Sequence, residues 1–322
     1  MVTIKQALEA KRLPTFFIIG AMKCGTSTLH QILARHPGIF IPEGEVRFFC
    51  VDDLEAFPPG QWDGNWVTQN FEGDFDRYLE WYVNFYREAA PDTLLGEDTA
   101  AYLSSPKAIS RMAKYRPEAK LIVLLRDPVA RTYSQYWHWV VSGRAVASFE
   151  DSLRLSHGNL LQRSYYEEQL RHCLDHFPSE QVKVILFEEL IGQPRRVVNE
   201  VLEFLAVEPC DSLDVARHEN RGHFPKRLRM KLWENYLFTS SYGRGYSGQF
   251  PGLRPRDPEP VRRRWLRRLF RRLNPSLGKN PHQINAATRG WLSDYLRRRN
   301  AGLPALLQRD LTAQWPSFRE DA

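Results

Sequence analysis

Apolar residues along the chain recur in two alternating patterns. Thr15-Phe-Phe-Ile-Ile19 is an unbroken branched and aromatic run that stops at Gly20, as a buried strand does. From Gly25 the pattern changes, with Leu29, Ile32 and Leu33 at helical spacing until His36-Pro37-Gly38. Strand, glycine-bearing turn and helix in succession form the opening of a nucleotide-binding βαβ unit. Gly38 to Ile41 predicts a second short strand, and Phe75 to Ala89 a helix carrying Tyr78, Leu79, Tyr82, Val83 and Tyr86. Lys120 to Leu125 is again continuously apolar, which suits an interior parallel strand covered on both faces. It ends in Arg126-Asp127-Pro128, where Pro128 fits the first turn of a helix running to about Val141. Val182 to Phe187 predicts a third long strand, followed by a helix around Arg196 to Leu205. Strands alternating with helices predict an α/β, three-layer fold around a central, mostly parallel sheet.

The remaining segments are less regular. Residues 53–72 are rich in Pro, Gly, Asp and Trp and predict a loop. From Gly243 to Asn285 the chain is irregular, then arginine-rich, with Val261, Trp265, Leu269 and Leu273 on one face of an expected basic amphipathic helix. The plainer expectation for that helix is that it packs Trp265, Leu269 and Leu273 onto the body. Attraction of an anionic donor or acceptor, attachment to a membrane surface and contact with a heparin-like or nucleic acid polyanion are the functional alternatives. A last helical stretch, Ala287 to Asn300, precedes a tail ending near Trp315.

Composition narrows the class. The 322 residues are 43% hydrophobic and 26% charged, the balance of a globular chain with a core. The early apolar run Phe16 to Met22 is far shorter than the roughly 20 residues a bilayer span needs, and no signal-cleavage site follows it. Stable membrane insertion and secretion are therefore not expected, and a cytoplasmic enzyme is. Four scattered cysteines without a CxxC pair predict free thiols. The formal charge of +7 is uneven: residues 226–299 hold 19 Lys and Arg against four acids, net +15, and the remainder is net −8. Such segregation points to an anionic partner.

The first chemical signal is Gly20-Ala-Met-Lys-Cys-Gly-Thr-Ser-Thr28. Backbone amides at a helix N-terminus cradle phosphate groups. In the triphosphate version, GxxxxGK[ST], lysine follows the second glycine. Here Thr26 stands there, and the only lysine, Lys23, lies inside the loop. The strand that would carry a magnesium carboxylate ends in Arg126, while Asp127 suits a helix cap. Arg126 with a helix N-terminus instead makes a second anion site, and two such sites fit a nucleotide phosphorylated at both ends.

These residues carry a resemblance. Lys23-Cys-Gly-Thr-Ser-Thr-Leu29 resembles the 5′-phosphosulfate loop of sulfotransferases that use 3′-phosphoadenosine 5′-phosphosulfate (PAPS). Arg126-Asp-Pro-Val-Ala-Arg-Thr-Tyr-Ser134-Gln-Tyr136 resembles their 3′-phosphate motif, and the two lie in the family's order about a hundred residues apart. Segments at Glu97, Arg163 and Arg309 are similar to family segments too, so the likeness covers nearly the whole chain, least from Phe224 to Ile284. The resemblance implies a single P-loop NTPase-like sulfotransferase domain over 1–322, with a variable basic helical segment at about 224–284. It implies that Lys23 contacts the bridging oxygen of the donor. Cys24, Gly25, Thr26, Ser27 and Thr28 would hold the 5′-phosphate, and Arg126 and Ser134 the 3′-phosphate. The donor would be PAPS and the product adenosine 3′,5′-bisphosphate, with no metal required.

On the acceptor side, Gly44-Glu-Val-Arg-Phe-Phe49 resembles the [KN]-E-x-x-F-F stretch of the glycosaminoglycan-type enzymes, which implies Glu45 as the general base that deprotonates an acceptor hydroxyl. Glu43 is its local competitor. Histidine serves as base in the phenol-sulfating branch, which puts His30, His36 and His138 forward as a further option. Arg47, Cys50 and Asp98 depart from the carbohydrate branch, and Asp98 in place of a cation disfavours a highly anionic glycan. The aromatic residues from Trp62 to Tyr86 line either an acceptor pocket or the core. The expectation is an in-line sulfuryl transfer to a carbohydrate or small-molecule alcohol without a nucleic acid partner. A small-molecule kinase using ATP and magnesium and a basic nucleic-acid- or membrane-binding module are the competing classes.

Overall fold

The computed structural model describes residues 13–53, 70–155, 160–215, 223–238 and 261–319. Strand β1 (Phe16–Gly20) is buried along its whole length. Helix α1 (Thr26–Leu33) follows the glycine turn and buries Leu29, Ile32 and Leu33, the residues its periodicity singled out. Strand β2 (Ile39–Phe40) is short. Helix α2 covers Phe75–Asn84 and stops five residues before the expected Ala89, where Phe85, Tyr86 and Ala89 continue in turns. Strand β3 (Leu94–Asp98), helix α3 (Pro106–Tyr115), strand β4 (Lys120–Leu125) and helix α4 (Pro128–Ser142) come next. Helices α5 (Phe149–Leu155) and α6 (Tyr166–Leu174), strand β5 (Val182–Leu186), and helices α7 (Phe187–Gly192) and α8 (Pro194–Leu205) complete the α/β layer.

The five strands form one sheet in the order β2-β3-β1-β4-β5, with every pair parallel. Helices flank it, making the three-layer α/β arrangement that the alternation of elements predicts. Sequence periodicity missed β3, which sits beside the central strand. Its residues Leu94-Leu-Gly-Glu-Asp98 end in two carboxylates, and only tertiary partners make that run tolerable in a core. Gly96 is there for a steric reason, since a Cβ would lie 2.1 Å from Phe16 Cζ.

Strand β6 (Phe224–Pro225) and β7 (Ser276–Leu277) pair antiparallel, next to helices α9 (Leu228–Phe238) and α10 (Val261–Leu273). Helices α11 (Ala286–Arg299) and α12 (Leu303–Leu307) follow. Residues 239–260, the Gly- and Pro-rich part of the irregular segment, lie outside the described residues, as do Trp62 and Trp66. The arginine-rich helix forms where expected but does not pack as expected. Trp265, Leu269 and Leu273 are 61%, 41% and 54% exposed. The helix turns a neighbouring stripe inward instead, with the Phe270 ring 5.4 Å from that of Phe238 on α9. At about 100° per residue the two stripes are adjacent, and a modest rotation chooses between them.

Candidate active site

The loop from β1 to α1 supplies the first part of the site. Gly25 takes a left-handed φ of 93° as the residue capping α1, with no side-chain cap, and Lys23 has a φ of 71°. The first amides of a helix have no intrahelical partner, so this cap presents donors and the positive end of the helix dipole. A Cβ on Gly25 would meet Phe187 at 2.8 Å, which explains a glycine here beyond its φ.

Strand β4, next to β1, is followed directly by Arg126. Its Nη1 donates to the Lys23 carbonyl at 3.5 Å, and its guanidinium lies 4.6 Å from the centre of the Phe187 ring. Tyr166 donates to the Arg126 carbonyl at 2.9 Å. Asp127 is the helix cap, its Oδ1 accepting from the Ala130 amide at 2.9 Å and its Oδ2 from the Ser317 amide at 2.9 Å. Ser134 lies two turns further along α4.

Glu45 stands between β2 and a single 3-10 turn at Phe48–Cys50. Arg47 Nε donates to Glu45 Oε2 at 3.0 Å, and Nη2 donates to the same oxygen. The backbone of Arg47 is itself held, its amide donating to Thr99 Oγ1 at 3.1 Å. Thr99 in turn donates to Glu97 Oε1 at 2.7 Å. Glu97 is fully buried and also accepts from Tyr82 at 2.5 Å and Tyr102 at 2.6 Å. A carboxylate and three hydroxyls thus anchor the segment that carries Glu45. Tyr78, Tyr82 and Tyr86 belong to the core.

One cavity of about 580 Å³ joins these parts, lined among others by Lys23, Gly25 to Thr28, Glu45, Arg126 and Ser134. That volume is within the range of small-molecule sites. Cys24 is the exception among the expected residues. Its side chain is buried in the core, 3.6 Å from the Tyr166 hydroxyl, and burial pushes the thiol up to about 11. Only its backbone is left to serve a ligand. Glu43 is not among the lining residues, whereas Arg47, Arg144, His138, Phe187 and Ile191 are. Arg144 follows α4 in a stretch without motif or periodicity, so nothing in the sequence singles it out.

The electrostatics are cationic. Burial, then the Arg126 charge, holds the Lys23 ammonium below the usual lysine range. Burial, then Lys23, Arg144 and Arg163, pushes His138 down to about 3. A histidine so depressed is neutral and a weak base, and its Nε2 accepts from Arg144 Nη2 at 3.1 Å. His30 is engaged with Asp98 at 3.3 Å, and His36 bonds the Glu208 carbonyl at 3.0 Å. Of the three histidines weighed as a base, only His138 reaches the cavity.

Residues 14–211 match the sulfotransferase family. The bifunctional heparan sulfate N-deacetylase/N-sulfotransferase 2 of Bos taurus is 26% identical over 313 residues, covering 90% of this chain and 32% of its own length. The heparan sulfate glucosamine 3-O-sulfotransferase 3B1 of Homo sapiens is 28% identical over 211 residues, 62% of this chain and 47% of its own. The chain spans about a third of the length of the bifunctional relatives it matches. A crystal structure of a sulfotransferase from Alicyclobacillus acidocaldarius superposes with a TM-score of 0.63 at 26% identity, over 94% of this chain and 99% of that one.

Proposed function

The chain belongs to the sulfotransferase family, and from that premise we propose that it transfers the sulfuryl group of PAPS to an acceptor hydroxyl, with Glu45 as base. The observation that carries this reading is the single cavity shared by Lys23, the amides opening α1, Arg126, Ser134 and Glu45. In this reading the 5′-phosphate sits on the α1 amides and the hydroxyls of Thr26, Ser27 and Thr28. The 3′-phosphate is held by Arg126 and Ser134 through charge-assisted contacts.

The acceptor hydroxyl attacks sulfur in line with the bridging oxygen while Glu45 takes its proton. The sulfur–oxygen bond breaks, and its electron pair leaves on the 5′-phosphate of adenosine 3′,5′-bisphosphate. Lys23 stabilises that charge as it forms. Arg47 holds the Glu45 carboxylate by one oxygen and sets its direction, a positioning role. His138, neutral beside three cations, adds no charge to the cleft. The acceptor is a carbohydrate or small-molecule alcohol, the relatives above being named for heparan sulfate.

Thermal denaturation with adenosine 3′,5′-bisphosphate, with ATP and magnesium, and with a short oligonucleotide tests the donor. At about 100 Kd a ligand stabilises by ~2.7 kcal/mol, and only the bisphosphate is expected to raise Tm at micromolar concentration. A shift with ATP and magnesium alone would favour a kinase instead. Glu45→Gln should keep the bisphosphate shift and lose about 10²–10⁴-fold in sulfuryl transfer, read with labelled PAPS against a panel of carbohydrate, phenolic and alkyl alcohols. Normal turnover at saturation would remove Glu45 as base.

A further inference from the structure

We propose that helices α9 and α10 form a docking surface for an anionic lipid bilayer, lying on it rather than crossing it. Eleven large hydrophobic residues are exposed among the described residues, and six of them stand on these two helices. Single exposed apolar side chains are ordinary on a protein surface, whereas a concentration of them marks a contact. On α10, Trp265, Leu269 and Leu273 repeat every four residues, which makes one stripe along the helix. On α9, Trp233, Tyr236 and Leu237 are 63%, 69% and 51% exposed, with the Trp233 and Tyr236 rings 6.1 Å apart.

Charge selects the partner. Residues 261–273 hold seven arginines and no acid. Arg268 and Arg272 are exposed and flank the apolar stripe at about 100° per residue, and Arg229 is exposed on α9, one turn before Trp233. A sulfated glycan would satisfy the arginines and leave the Trp and Leu side chains in water, and a nucleic acid, whose bases can stack on Trp and Tyr, would still leave Leu237, Leu269 and Leu273 uncovered. An anionic bilayer takes both, since tryptophan and tyrosine settle at headgroup depth and arginine stems lie along the apolar boundary with their guanidinium groups at the phosphates. No helix among the described residues is long and apolar enough to cross a membrane, and α10 has only 13 residues, which fits attachment in the plane of the interface.

The test is sedimentation of the full chain with vesicles of phosphatidylcholine alone and of phosphatidylcholine with phosphatidylserine. Binding is expected only to the mixed vesicles. Neutralising arginines weakens it by about fivefold per charge removed, so Arg229→Gln/Arg268→Gln/Arg272→Gln should cost about a hundredfold. Trp265→Ser/Leu269→Ser should also release the protein while leaving Tm at the parent value. Trp233→Ser/Tyr236→Ser gives a second measure should that pair misfold. Equal binding to neutral vesicles, or no binding to either, overturns the proposal. So does a serine variant that binds mixed vesicles as tightly as the parent, because the surface would then read charge alone.

Discussion

Lys23 shows how far single residues could be assigned before any fold was known. Its place inside the loop, three residues after Gly20, was legible and separated it from a triphosphate-binding lysine. Its environment was not. Burial and the neighbouring Arg126 charge lower its pKa, and both come from elements distant in sequence. A consequence follows for pH. The bisphosphate favours the protonated lysine, so affinity is full below the free-state pKa of Lys23 and falls as pH rises through it. Because that pKa is lowered, the fall begins below the ordinary lysine value of about 10.4, where the phosphates are already fully ionised, their second pKa being near 6. Calorimetric Kd values from pH 7 upward should show this loss, and Lys23→Arg should flatten it, since arginine stays charged. A wild-type profile that matches Lys23→Arg throughout the lysine range would mean that Lys23 does not meet the nucleotide. Glu45 differs in kind. The motif made it a candidate, but the Arg47 clamp and the Thr99–Glu97 support below it were invisible, because they join three chain segments.

Elements were most legible where apolar periodicity was uninterrupted, as in β1, β4 and α1. Strand β3 was lost because its glycine and two carboxylates read as loop. Its burial depends on hydroxyls from Thr99 and Tyr102, just past the strand, and from Tyr82 on α2, which no periodicity reveals. The arginine-rich helix was legible as a helix, and its orientation was not, since two adjacent stripes competed for the inner face. At the turn into α1, the loop and β5's following helix meet through Gly25 and Phe187. Gly25→Ala should therefore act twice. Left-handed φ at an alanine costs about 1–2 kcal/mol, and the added methyl displaces Phe187, on which the Arg126 guanidinium rests. Lower Tm and weaker bisphosphate binding are expected together. Gly192→Ala, with nothing within 4 Å of the new methyl, should change neither, and equal behaviour of the two variants would refute the close-approach argument.

At the scale of the whole molecule, strand order does what no segment could show. Placing β1 between β3 and β4 puts the loops after β1 and β4 side by side, at the usual strand spacing of about 4.8 Å. The crevice outside the carboxyl ends of parallel strands is where such folds bind ligands. Lys23 and Arg126, 103 positions apart in sequence, share a cavity for that reason. If they grip opposite ends of one nucleotide, each should control discrimination at its own end. The wild type should prefer adenosine 3′,5′-bisphosphate over 5′-AMP by the worth of a hydrogen bond to a charged group, about 1.5–3 kcal/mol. Arg126→Ala should erase most of that preference by weakening the bisphosphate alone. Lys23→Ala should weaken both nucleotides and leave their ratio near the wild-type value. Some coupling is expected, since Arg126 also bonds the Lys23 carbonyl and residues in contact do not act additively. It should nevertheless stay well below the main effect. Titration of the three proteins with the two nucleotides decides the matter, and equal loss of the ratio in both variants would mean that the cations serve a single phosphate.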